Sequence, residues 1–260
     1  MEVSRAVKNE QVRSFVLKAS ASDTVSYSVP VRVSETWAGP AAEKREGMPR
    51  WKRFLDLASI LAAAPVVVPL GLLIGLMVKL ASPGPVLFKQ QRVGHRGRQF
   101  TCLKFRTMAV NADSGVHQGH VVNLMRSKRP MTKLDAEGDP RLIPGGWLLR
   151  SCGLDELPQL LNVLRGEMSL VGPRPCLAYE CENYESRHCR RFETPPGLTG
   201  LWQVNGKNRT TYEQMLDMDL DYVRHQSLLL DLKIIARTIP AMVRQVREQR
   251  RGRRSLLRRQ

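Results

Sequence analysis

An uninterrupted apolar run near the start of the chain limits the possible folds more than any other feature. Residues Leu57 to Val78 include 22 positions without a charged side chain. As one α-helix with a rise of about 1.5 Å per residue, this run is long enough to cross the hydrocarbon core of a bilayer. Pro65 and Pro69 lie in its middle, where a proline removes a hydrogen bond and clashes with the preceding turn. We therefore predict a membrane segment broken into two halves of about 11 residues, each roughly 16 Å long or half the hydrocarbon thickness.

The residues on both sides of this run are basic. They are Arg50, Lys52 and Arg53 before it, and Lys79, Lys89, Arg92, Arg96 and Arg98 after it. Because Lys and Arg are enriched on the cytoplasmic side of membrane proteins, both ends are predicted to be cytoplasmic. We predict a re-entrant membrane helix over residues 51–81 that dips into one leaflet and returns. The alternative is one kinked span, with the short N-terminal arm on the opposite side from the rest of the chain.

The chain as a whole is strongly basic. It has 41 Lys and Arg against 24 Asp and Glu, and the net charge of +17 predicts an anionic partner, either nucleic acid or a membrane surface. Eight arginines against Glu248 give residues 244–260 a charge of +7, which predicts a solvated basic tail. Residues 228–246 are apolar but interrupted by charges, which predicts amphipathic helices in the membrane interface, broken near Pro240. Residues 1–50 show no sustained period and predict a disordered N-terminal arm.

Two adjacent carboxylates stand out in the second half of the chain. Asp155 and Glu156 come directly before leucines at helical spacing, and Pro158 is acceptable only in the first turn of a helix, so the pair is predicted to lie at a helix N-terminus. Gly166 predicts the end of that helix. A helix N-terminus favours ionised carboxylates and attracts phosphate, which makes the pair a candidate catalytic site. Acidic residues at such a position also serve simply to complement the helix dipole, and the pair alone does not separate the two interpretations.

Basic side chains suited to phosphate binding follow in two places. Gly172-Pro173-Arg174-Pro175 predicts a stiff, exposed turn that presents one guanidinium, a shape suited to two phosphate oxygens. Residues 86–93 and 99–108 alternate apolar and basic side chains around a turn, which predicts a β-hairpin. The hairpin would bring together four cations, Lys89, Arg92, Lys104 and Arg106. Solvated charges on a strand surface are the alternative interpretation.

The five cysteines do not indicate a disulfide framework. Their number is odd and their positions are scattered, as is typical of a protein in a reducing compartment. Cys176, Cys181, His188 and Cys189 could be arranged as a zinc site, but they include no CxxC pair. Ordinary buried or surface thiols are the favoured interpretation.

The remaining pattern predicts an α+β fold that is mostly helical, in which a Pro-broken re-entrant helix, interfacial amphipathic helices and a small β-hairpin surround a cytoplasmic domain. Residues 109–146, with His117 and His120, are polar and turn-rich and predict a loop. Helices are predicted over residues 147–150 and 177–190, and from Tyr212 onward. In the last helix the acids Glu213, Asp217 and Asp221 recur at i, i+4 and i+8, which indicates a solvated face rather than metal ligands.

With these segments taken together, the chain resembles the bacterial sugar transferases, the monotopic phosphoglycosyl transferases that make polyprenyl-diphosphate-linked sugars. The resemblance runs from about Lys52 to Pro240 and leaves out the N-terminal arm and the arginine-rich tail. The matching motifs, in chain order, are Lys52-Arg53 with Asp56, the proline-containing membrane segment, SPGPVLFKQQRVG, LKFRTM, DPRLIP, LDELPQLLNVLRGEMSLVGPRP, PGLTGLWQVNGKNR and DLDYV. So many motifs in one order make a chance match implausible.

The resemblance implies roles for the candidate site residues. It implies that Asp155 is the nucleophile and that Glu156 helps to hold Mg²⁺. Asp155 would attack the sugar-bearing phosphate of a nucleoside diphosphate sugar, usually a uridine one in this family, and form an aspartyl phosphosugar. The phosphate of membrane-embedded undecaprenyl phosphate would then attack that intermediate. The candidate phosphate-binding residues are Arg174 first, then Lys104, Arg106 and Arg92.

The resemblance also implies a place for the enzyme in the cell. Residues 82–243 would form a catalytic domain on the cytoplasmic face of the bacterial inner membrane, carrying out the first membrane step of surface polysaccharide or glycoconjugate synthesis. The expected partners are a UDP-sugar donor, undecaprenyl phosphate and anionic membrane lipids, with no nucleic acid. A membrane-tethered basic scaffold or nucleic-acid-binding protein without catalysis is the alternative. A third hypothesis is an inactive relative that binds nucleotide sugar. The intact acidic pair and Arg174 argue against it.

Two positions depart from the family pattern. Ala64 precedes Pro65 where the family often has serine, so a hydroxyl that could bond a freed carbonyl is missing. Cys152-Gly153 precede the Leu-Asp-Glu motif where a serine or threonine is common. By the usual ranking of N-cap residues, this glycine weakens the helix start by only a few tenths of a kcal/mol. Neither departure removes a reactive group.

Overall fold

The computed structural model describes residues 47–110, 115–127, 129–131, 139, 141–207 and 209–257. The predicted N-terminal arm therefore lies outside the described residues up to residue 46. The helices are α1 (Arg50–Ala81), α2 (Gly115–Arg126), α3 (Gly146–Cys152), α4 (Gln159–Leu164), α5 (Ala178–Cys181), α6 (Leu201–Val204), α7 (Tyr212–His225) and α8 (Leu228–Leu257). The strands are β1 (Leu87–Val93), β2 (Gln99–Phe105), β3 (Ser169–Val171) and β4 (Gly197–Thr199), and His95–Gly97, Leu154–Glu156 and Ser186–Glu193 are 3₁₀-helical. The fold is α+β and mostly helical, as predicted.

Helix α1 contains the whole apolar run and continues through both Pro65 and Pro69. The prediction of two half-helices separated by a break is therefore wrong. Each proline removes one N–H donor but leaves the neighbouring hydrogen bonds of the helix in place, so the helix persists as one element. A helix that bends at a proline without ending is compatible with a re-entrant path, and the topology stays a prediction.

The middle of α1 exposes a large apolar surface. Among the described residues, α1 is the one helix whose length and composition would allow it to cross a membrane, and only 6% of its most apolar 18-residue window is buried. Its exposed side chains include Leu61, Val66, Leu72, Leu73 and Leu80. A core helix of a soluble domain would bury one face against its neighbours, whereas this surface is suited to contact with lipid.

The N-terminal end of α1 is held by buried polar contacts. Lys52 Nζ donates to Asp231 Oδ2 at 2.5 Å and to the Tyr222 hydroxyl at 2.8 Å, and the Lys52 and Asp231 side chains are fully buried. Asp56 accepts hydrogen bonds from the Leu170 backbone N–H at 2.9 Å and from the Ser169 hydroxyl at 3.0 Å. These contacts attach α1 to α8, α7 and β3.

Arg53, next to Lys52, holds another element. Its guanidinium donates to the backbone carbonyls of Val163 and Leu164, each at 2.5 Å. These are among the last carbonyls of α4, which have no partner within the helix, so the cation caps the C-terminus of α4.

The C-terminal end of α1 packs against the same part of the protein through apolar contacts. Ile74 and Val78 form a buried cluster with Phe105, Ile143 and Leu149. Both ends of an apolar helix of 32 residues therefore contact the segment that follows it in sequence, while its middle is exposed.

The predicted β-hairpin is confirmed. Strands β1 and β2 pair antiparallel, with Leu87 opposite Phe105 and Val93 opposite Gln99. The turn at His95–Gly97 includes Arg96 with φ 57, a left-handed conformation that costs a non-glycine residue energy.

A second small sheet joins two loops that the sequence pattern did not connect. Strands β3 and β4 pair in parallel, with Ser169 opposite Gly197 and Val171 opposite Thr199. The backbones approach so closely that a Cβ added at Gly172 would lie 2.4 Å from the Pro195 carbonyl oxygen. The turn that contains Arg174 is therefore packed directly against the Pro-Pro-Gly segment.

The predictions for two segments between β2 and α6 need correction. The stretch 109–146 is not all loop, because α2 forms within it and contains His117 and His120. The predicted helix 177–190 is split into α5 and the 3₁₀ segment Ser186–Glu193. Between them the Asn183 side chain donates to the Tyr179 carbonyl at 2.8 Å, and such side-chain bonds to the backbone compete with helix continuation.

Helix α8 is continuous to Leu257, so the predicted break at Pro240 is absent and the segment 244–257 of the basic tail is helical. Because Pro240 has no N–H, the Ala236 carbonyl lacks its usual donor within the helix. Ala236 and Pro240 are both exposed, so water can hydrate this carbonyl. The side of α8 with Asp231 and Ile234 is buried. A different side exposes apolar residues, namely Leu228, Leu229, Leu232, Ile239 and Val243.

The buried pair of Lys52 and Asp231 yields a test by unfolding. Lys52→Met leaves the Asp231 carboxylate buried without its cation and is expected to reduce the free energy of unfolding by about 3–5 kcal/mol. The double variant Lys52→Met/Asp231→Leu removes both charges and should recover most of that loss. Thermal unfolding in detergent measures the effect. An equally large loss in the single and double variants would contradict the assignment of the effect to the unpaired charge.

Candidate active site

The acidic pair lies on a 3₁₀ turn, Leu154–Glu156, between α3 and α4. Gly153 has φ 68, and its N–H donates to the Leu149 carbonyl, so this residue ends α3 and opens the turn at once. This left-handed conformation favours glycine, so the backbone geometry explains a glycine at position 153 better than its weak N-capping ability does. The helix that follows is only six residues long, so the macrodipole contributes less to the site than the sequence reasoning assumed.

The two carboxylates differ in exposure and surroundings. Asp155 is buried, with 7% of its surface exposed, whereas about a third of the Glu156 side chain is open to solvent. Lys104, from β2, donates to Glu156 Oε1 at 2.8 Å. The structure thus brings one of the predicted hairpin cations to the acidic pair.

Arg106, another predicted phosphate-binding residue, is buried and bonded to backbone. Its guanidinium donates to the carbonyls of Ser82, Pro83 and Pro85 at 2.7, 2.9 and 2.7 Å. These carbonyls belong to the turn that leaves α1. Arg106 therefore fixes the path of the chain where it leaves α1.

Arg92 has a comparable place beside the Arg174 turn. Its guanidinium donates to Gln90 Oε1 at 2.6 and 3.0 Å and to the Pro175 carbonyl at 2.9 Å. The Val93 N–H also donates to the Cys176 carbonyl at 2.9 Å. Strand β1 is therefore bound to the end of the Gly172–Pro175 turn.

Arg174 is bound to a buried carboxylate. Its guanidinium donates to both oxygens of Glu180, at 2.9 and 3.2 Å. Glu180 is fully buried, while 18% of the Arg174 side chain is exposed. Burial by itself would raise the pKa of Glu180, but the guanidinium groups of Arg174 and Arg92 outweigh it and hold this pKa below its usual value. Glu180 and Arg174 therefore form a charged pair.

A second buried pair supports the backbone of the same turn. Arg191 donates to Asp219 Oδ2 at 2.5 Å and to the Arg174 carbonyl at 2.6 Å. Asp219 also accepts from the Arg174 backbone N–H at 3.2 Å. The orientation of Arg174 is thus fixed from both sides of its peptide unit.

The sequence reasoning missed Glu180, Arg191 and Asp219. A signal was present for Asp219, because it lies on the apolar face of α7 with the buried residues Met215 and Leu216. A charge at such a position is costly unless it is paired. The predicted solvated face of α7 is confirmed, since Glu213, Asp217 and Asp221 are each more than half exposed.

A small cleft opens beside Arg174. It is lined by Val93, Gly94, Pro173, Arg174, Arg191, Phe192, Thr194 and Pro196. Neither carboxylate of the acidic pair lines it. The cleft belongs to the Arg174 turn and to the two loops that the β3–β4 sheet joins.

The zinc site considered from the sequence is not formed in the described part of the chain. No group of three or more His, Cys, Asp and Glu side chains in these residues is arranged to hold a metal ion. The sulfurs of Cys176 and Cys181 instead lie 2.9 Å apart. Mg²⁺ needs fewer protein ligands, since it is commonly bound by one or two carboxylates together with substrate phosphates. The partly exposed Glu156 beside Asp155 fits that kind of site.

Comparison with known proteins identifies the family. A family model described as bacterial sugar transferase matches residues 48–245. The chain belongs to this family. The resemblance drawn from the motifs is therefore confirmed, and the chain is an enzyme of the phosphoglycosyl transferase class.

Several named relatives agree with this assignment. The exopolysaccharide production protein ExoY of Sinorhizobium fredii is 42% identical over 191 residues, which are 74% of this chain and 84% of that protein. The UDP-glucose:undecaprenyl-phosphate glucose-1-phosphate transferase of Caulobacter vibrioides is 40% identical over 200 residues, 74% of this chain and 69% of the relative. The undecaprenyl-phosphate galactose phosphotransferase of Salmonella typhimurium is 38% identical over 167 residues, 62% of this chain and 34% of that longer protein.

The buried pair of Glu180 and Arg174 predicts an effect of pH on stability. Because the pKa of Glu180 is lower in the folded protein than in the unfolded chain, its contribution is present above the unfolded pKa and is lost as the pH falls through the folded value. Glu180→Gln should reduce the free energy of unfolding near neutral pH by about 3–5 kcal/mol, because Arg174 loses its carboxylate. The difference from the wild type should shrink in acid.

Unfolding measured from pH 7 downward tests this prediction. The matched control is Glu213→Gln, because Glu213 is exposed and its loss should change stability by less than about 1 kcal/mol. A Glu180→Gln variant as stable as the wild type near neutral pH would refute the assigned role of the pair.

Proposed function

We propose that this enzyme transfers a sugar-1-phosphate from a UDP-sugar to undecaprenyl phosphate through a covalent intermediate on Asp155. The observation that carries the proposal is the acidic pair on a rigid turn, with the more buried Asp155 beside Glu156 and with Lys104 on Glu156. Two relatives are named for transfer of a sugar phosphate to undecaprenyl phosphate, and one of them for a UDP-sugar donor.

In the first step, the Asp155 carboxylate attacks the phosphorus that bears the sugar. A bond forms between a carboxylate oxygen and phosphorus, the bond from that phosphorus to the bridging oxygen breaks, and uridine monophosphate leaves with the electron pair. In the second step, a phosphate oxygen of undecaprenyl phosphate attacks the same phosphorus. The Asp155 carboxylate is released and the product is undecaprenyl diphosphate sugar. A carboxylate is an established covalent nucleophile for phosphoryl groups.

The other residues bind and orient the substrates. Glu156 would hold Mg²⁺ together with the diphosphate oxygens. When bound, this ion neutralises charge on the phosphates and on the leaving group. Lys104 adds positive charge at Glu156, and Arg174 offers its exposed edge to a phosphate oxygen. For Arg92 and Arg106 we propose a supporting role, because their guanidinium groups are occupied by Gln90 and by backbone carbonyls.

For the membrane we propose the re-entrant topology. Both ends of α1 pack against the same folded segment, and both are flanked by basic residues, as expected if they lie on the cytoplasmic side of the inner membrane. The exposed apolar side of α8, with Lys233, Arg237 and Arg244 also exposed along the helix, would lie in the interface against anionic lipids. This arrangement keeps the acidic pair close to the depth of the lipid phosphate. The proposed role is the first membrane step of surface polysaccharide or glycoconjugate synthesis, in keeping with the exopolysaccharide relative.

The reaction is tested by release of uridine monophosphate. Purified full-length protein is incubated with Mg²⁺, undecaprenyl phosphate and a panel of UDP-sugars. We expect lipid-dependent release with the correct donor, and Asp155→Asn should reduce the rate by about 10³-fold or more because the nucleophile is lost. Asp217→Asn, an exposed acid on α7, is the control and should retain the wild-type rate. Comparable turnover by Asp155→Asn would disprove covalent catalysis by this residue.

The covalent step has its own readout. Without undecaprenyl phosphate, the wild type should release at most one equivalent of uridine monophosphate and gain the mass of a phosphosugar on the peptide that contains Asp155. Steady release without any covalent adduct would favour direct transfer between the two substrates.

Topology is tested by labelling single cysteines from one side of the membrane. Cysteines at positions 48 and 82, on the two sides of α1, are introduced where the partly exposed Cys152, Cys181 and Cys189 have been replaced by serine. Both should react with an impermeant reagent only after the inner membrane is opened. Labelling of position 48 alone in intact spheroplasts would instead indicate a single span.

A further inference from the structure

Three of the five cysteines lie together beside the Arg174 turn. Cys176, Cys181 and Cys189 pack in one cluster with the buried side chains of Val93 and Phe192. The sulfurs of Cys176 and Cys181 lie 2.9 Å apart, about 0.9 Å more than the length of a disulfide bond. The third thiol is directed elsewhere, since the Cys189 sulfur donates to the Glu185 carbonyl at 3.8 Å.

Cys176 and Cys181 precede and follow, in sequence, the residue that neutralises Arg174. Cys176 directly follows the Gly172–Pro175 turn and is 1% exposed, and Cys181 is the last residue of α5. Between them lies Glu180, which accepts hydrogen bonds from the Arg174 guanidinium and from the Leu177 N–H at 3.2 Å. A bond between the two sulfurs would therefore close a short ring that contains Glu180.

The two thiols differ in acidity in a way that suits oxidation. Burial alone would raise the pKa of Cys176, but the hydrogen bond with Cys181 and the nearby guanidinium of Arg191 outweigh it, so this pKa lies below the usual value. The same hydrogen bond, together with burial, raises the pKa of Cys181. Of the two thiols, Cys176 therefore has the pKa that favours the thiolate more.

We propose that Cys176 and Cys181 are a redox-active dithiol that closes to a disulfide in the presence of a peroxide and thereby fixes the turn that holds Arg174. The Cys176 thiolate attacks one oxygen of hydrogen peroxide, the O–O bond breaks, and the hydroxide that leaves takes up a proton to become water. The Cys181 sulfur then attacks the sulfenic acid on Cys176 and displaces a second water. Two thiols are oxidised by two electrons and one peroxide is reduced to two waters.

The burial of Cys176 restricts the oxidant to one close to water in size, which hydrogen peroxide is. Closure would hold Glu180 against Arg174 and oppose the exchange of this carboxylate for a substrate phosphate. This consequence for activity rests on the proposed function, whereas formation of the disulfide does not. A transient disulfide of this kind is compatible with a protein whose cysteines are otherwise reduced.

Peptide mapping of the full-length protein tests the bond directly. After treatment with hydrogen peroxide and blocking of the remaining thiols, we expect a cross-linked product between Cys176 and Cys181 that has lost two hydrogen atoms and reverts with dithiothreitol. Cys189→Ser should form the same cross-link, and Cys181→Ser should not. Free Cys176 and Cys181 in the treated wild type, or a bond from either of them to Cys189, would overturn the proposal.

The link to Arg174 is tested separately by the rate of uridine monophosphate release. Oxidation should reduce the rate about fivefold or more in the wild type and in Cys189→Ser, with recovery in dithiothreitol. Cys181→Ser, once shown to retain activity when reduced, should be insensitive to the same treatment. A complete cross-link with an unchanged rate would overturn the link to Arg174. Absence of activity in the reduced wild type would instead count against the proposed function and leave the mapped bond standing.

Discussion

The architecture depends on how the N-terminal end of α1 is attached to the rest of the protein. Lys52 binds Asp231 and Tyr222, Asp56 binds the start of β3, and both attachments are buried. Removing two charges from water is expensive, so a pair of this kind is maintained only where its geometry and extra hydrogen bonds compensate. Here the Tyr222 hydroxyl supplies that extra bond by donating to the second oxygen of Asp231 at 2.7 Å.

The N-terminal end of α1 also contacts the elements next to the Arg174 turn and next to the acidic pair. Asp56 holds β3, and β3 leads directly into the turn with Arg174. Arg53 caps α4, and the acidic pair lies just before the start of α4. The N-terminal end of α1 is therefore connected, through α4 and β3, to the segments that carry Asp155 and Arg174.

The basic side chains divide into two groups with different tasks. Arg92, Arg106 and Arg191 bind backbone carbonyls and hold turns in place, and Arg191 also binds the buried Asp219. Lys104 and Arg174 each bind a carboxylate and keep part of their side-chain surface exposed. A guanidinium is well suited to the first task, because its five donors match several carbonyls of a tight turn at once.

The sequence by itself determined the features that depend on local pattern. The apolar run predicted the position of α1 although not its continuity, alternation predicted the β1–β2 hairpin, and the ordered motifs predicted the family. The local pattern overestimated the effect of the prolines, however. A long helix loses only a few backbone hydrogen bonds at Pro65, Pro69 and Pro240 and keeps the others. For Gly153, capping preference was the wrong explanation, because its positive φ is set by the junction of α3 with the 3₁₀ turn that follows.

Only the tertiary structure decided which charges are paired. Glu180 and Asp231 look like ordinary surface acids in the sequence, and Asp219 is marked only by its place on an apolar helix face, yet each is buried against a cation from another segment. Asp231 lies 179 positions from Lys52, and no local periodicity carries information over that distance. The parallel contact of β3 with β4 is equally non-local, because it depends on two backbones meeting where only glycine leaves room. Residue pattern thus predicted the hairpin, the position of the apolar helix and the family, while burial and long-range pairing determined the surroundings of the site.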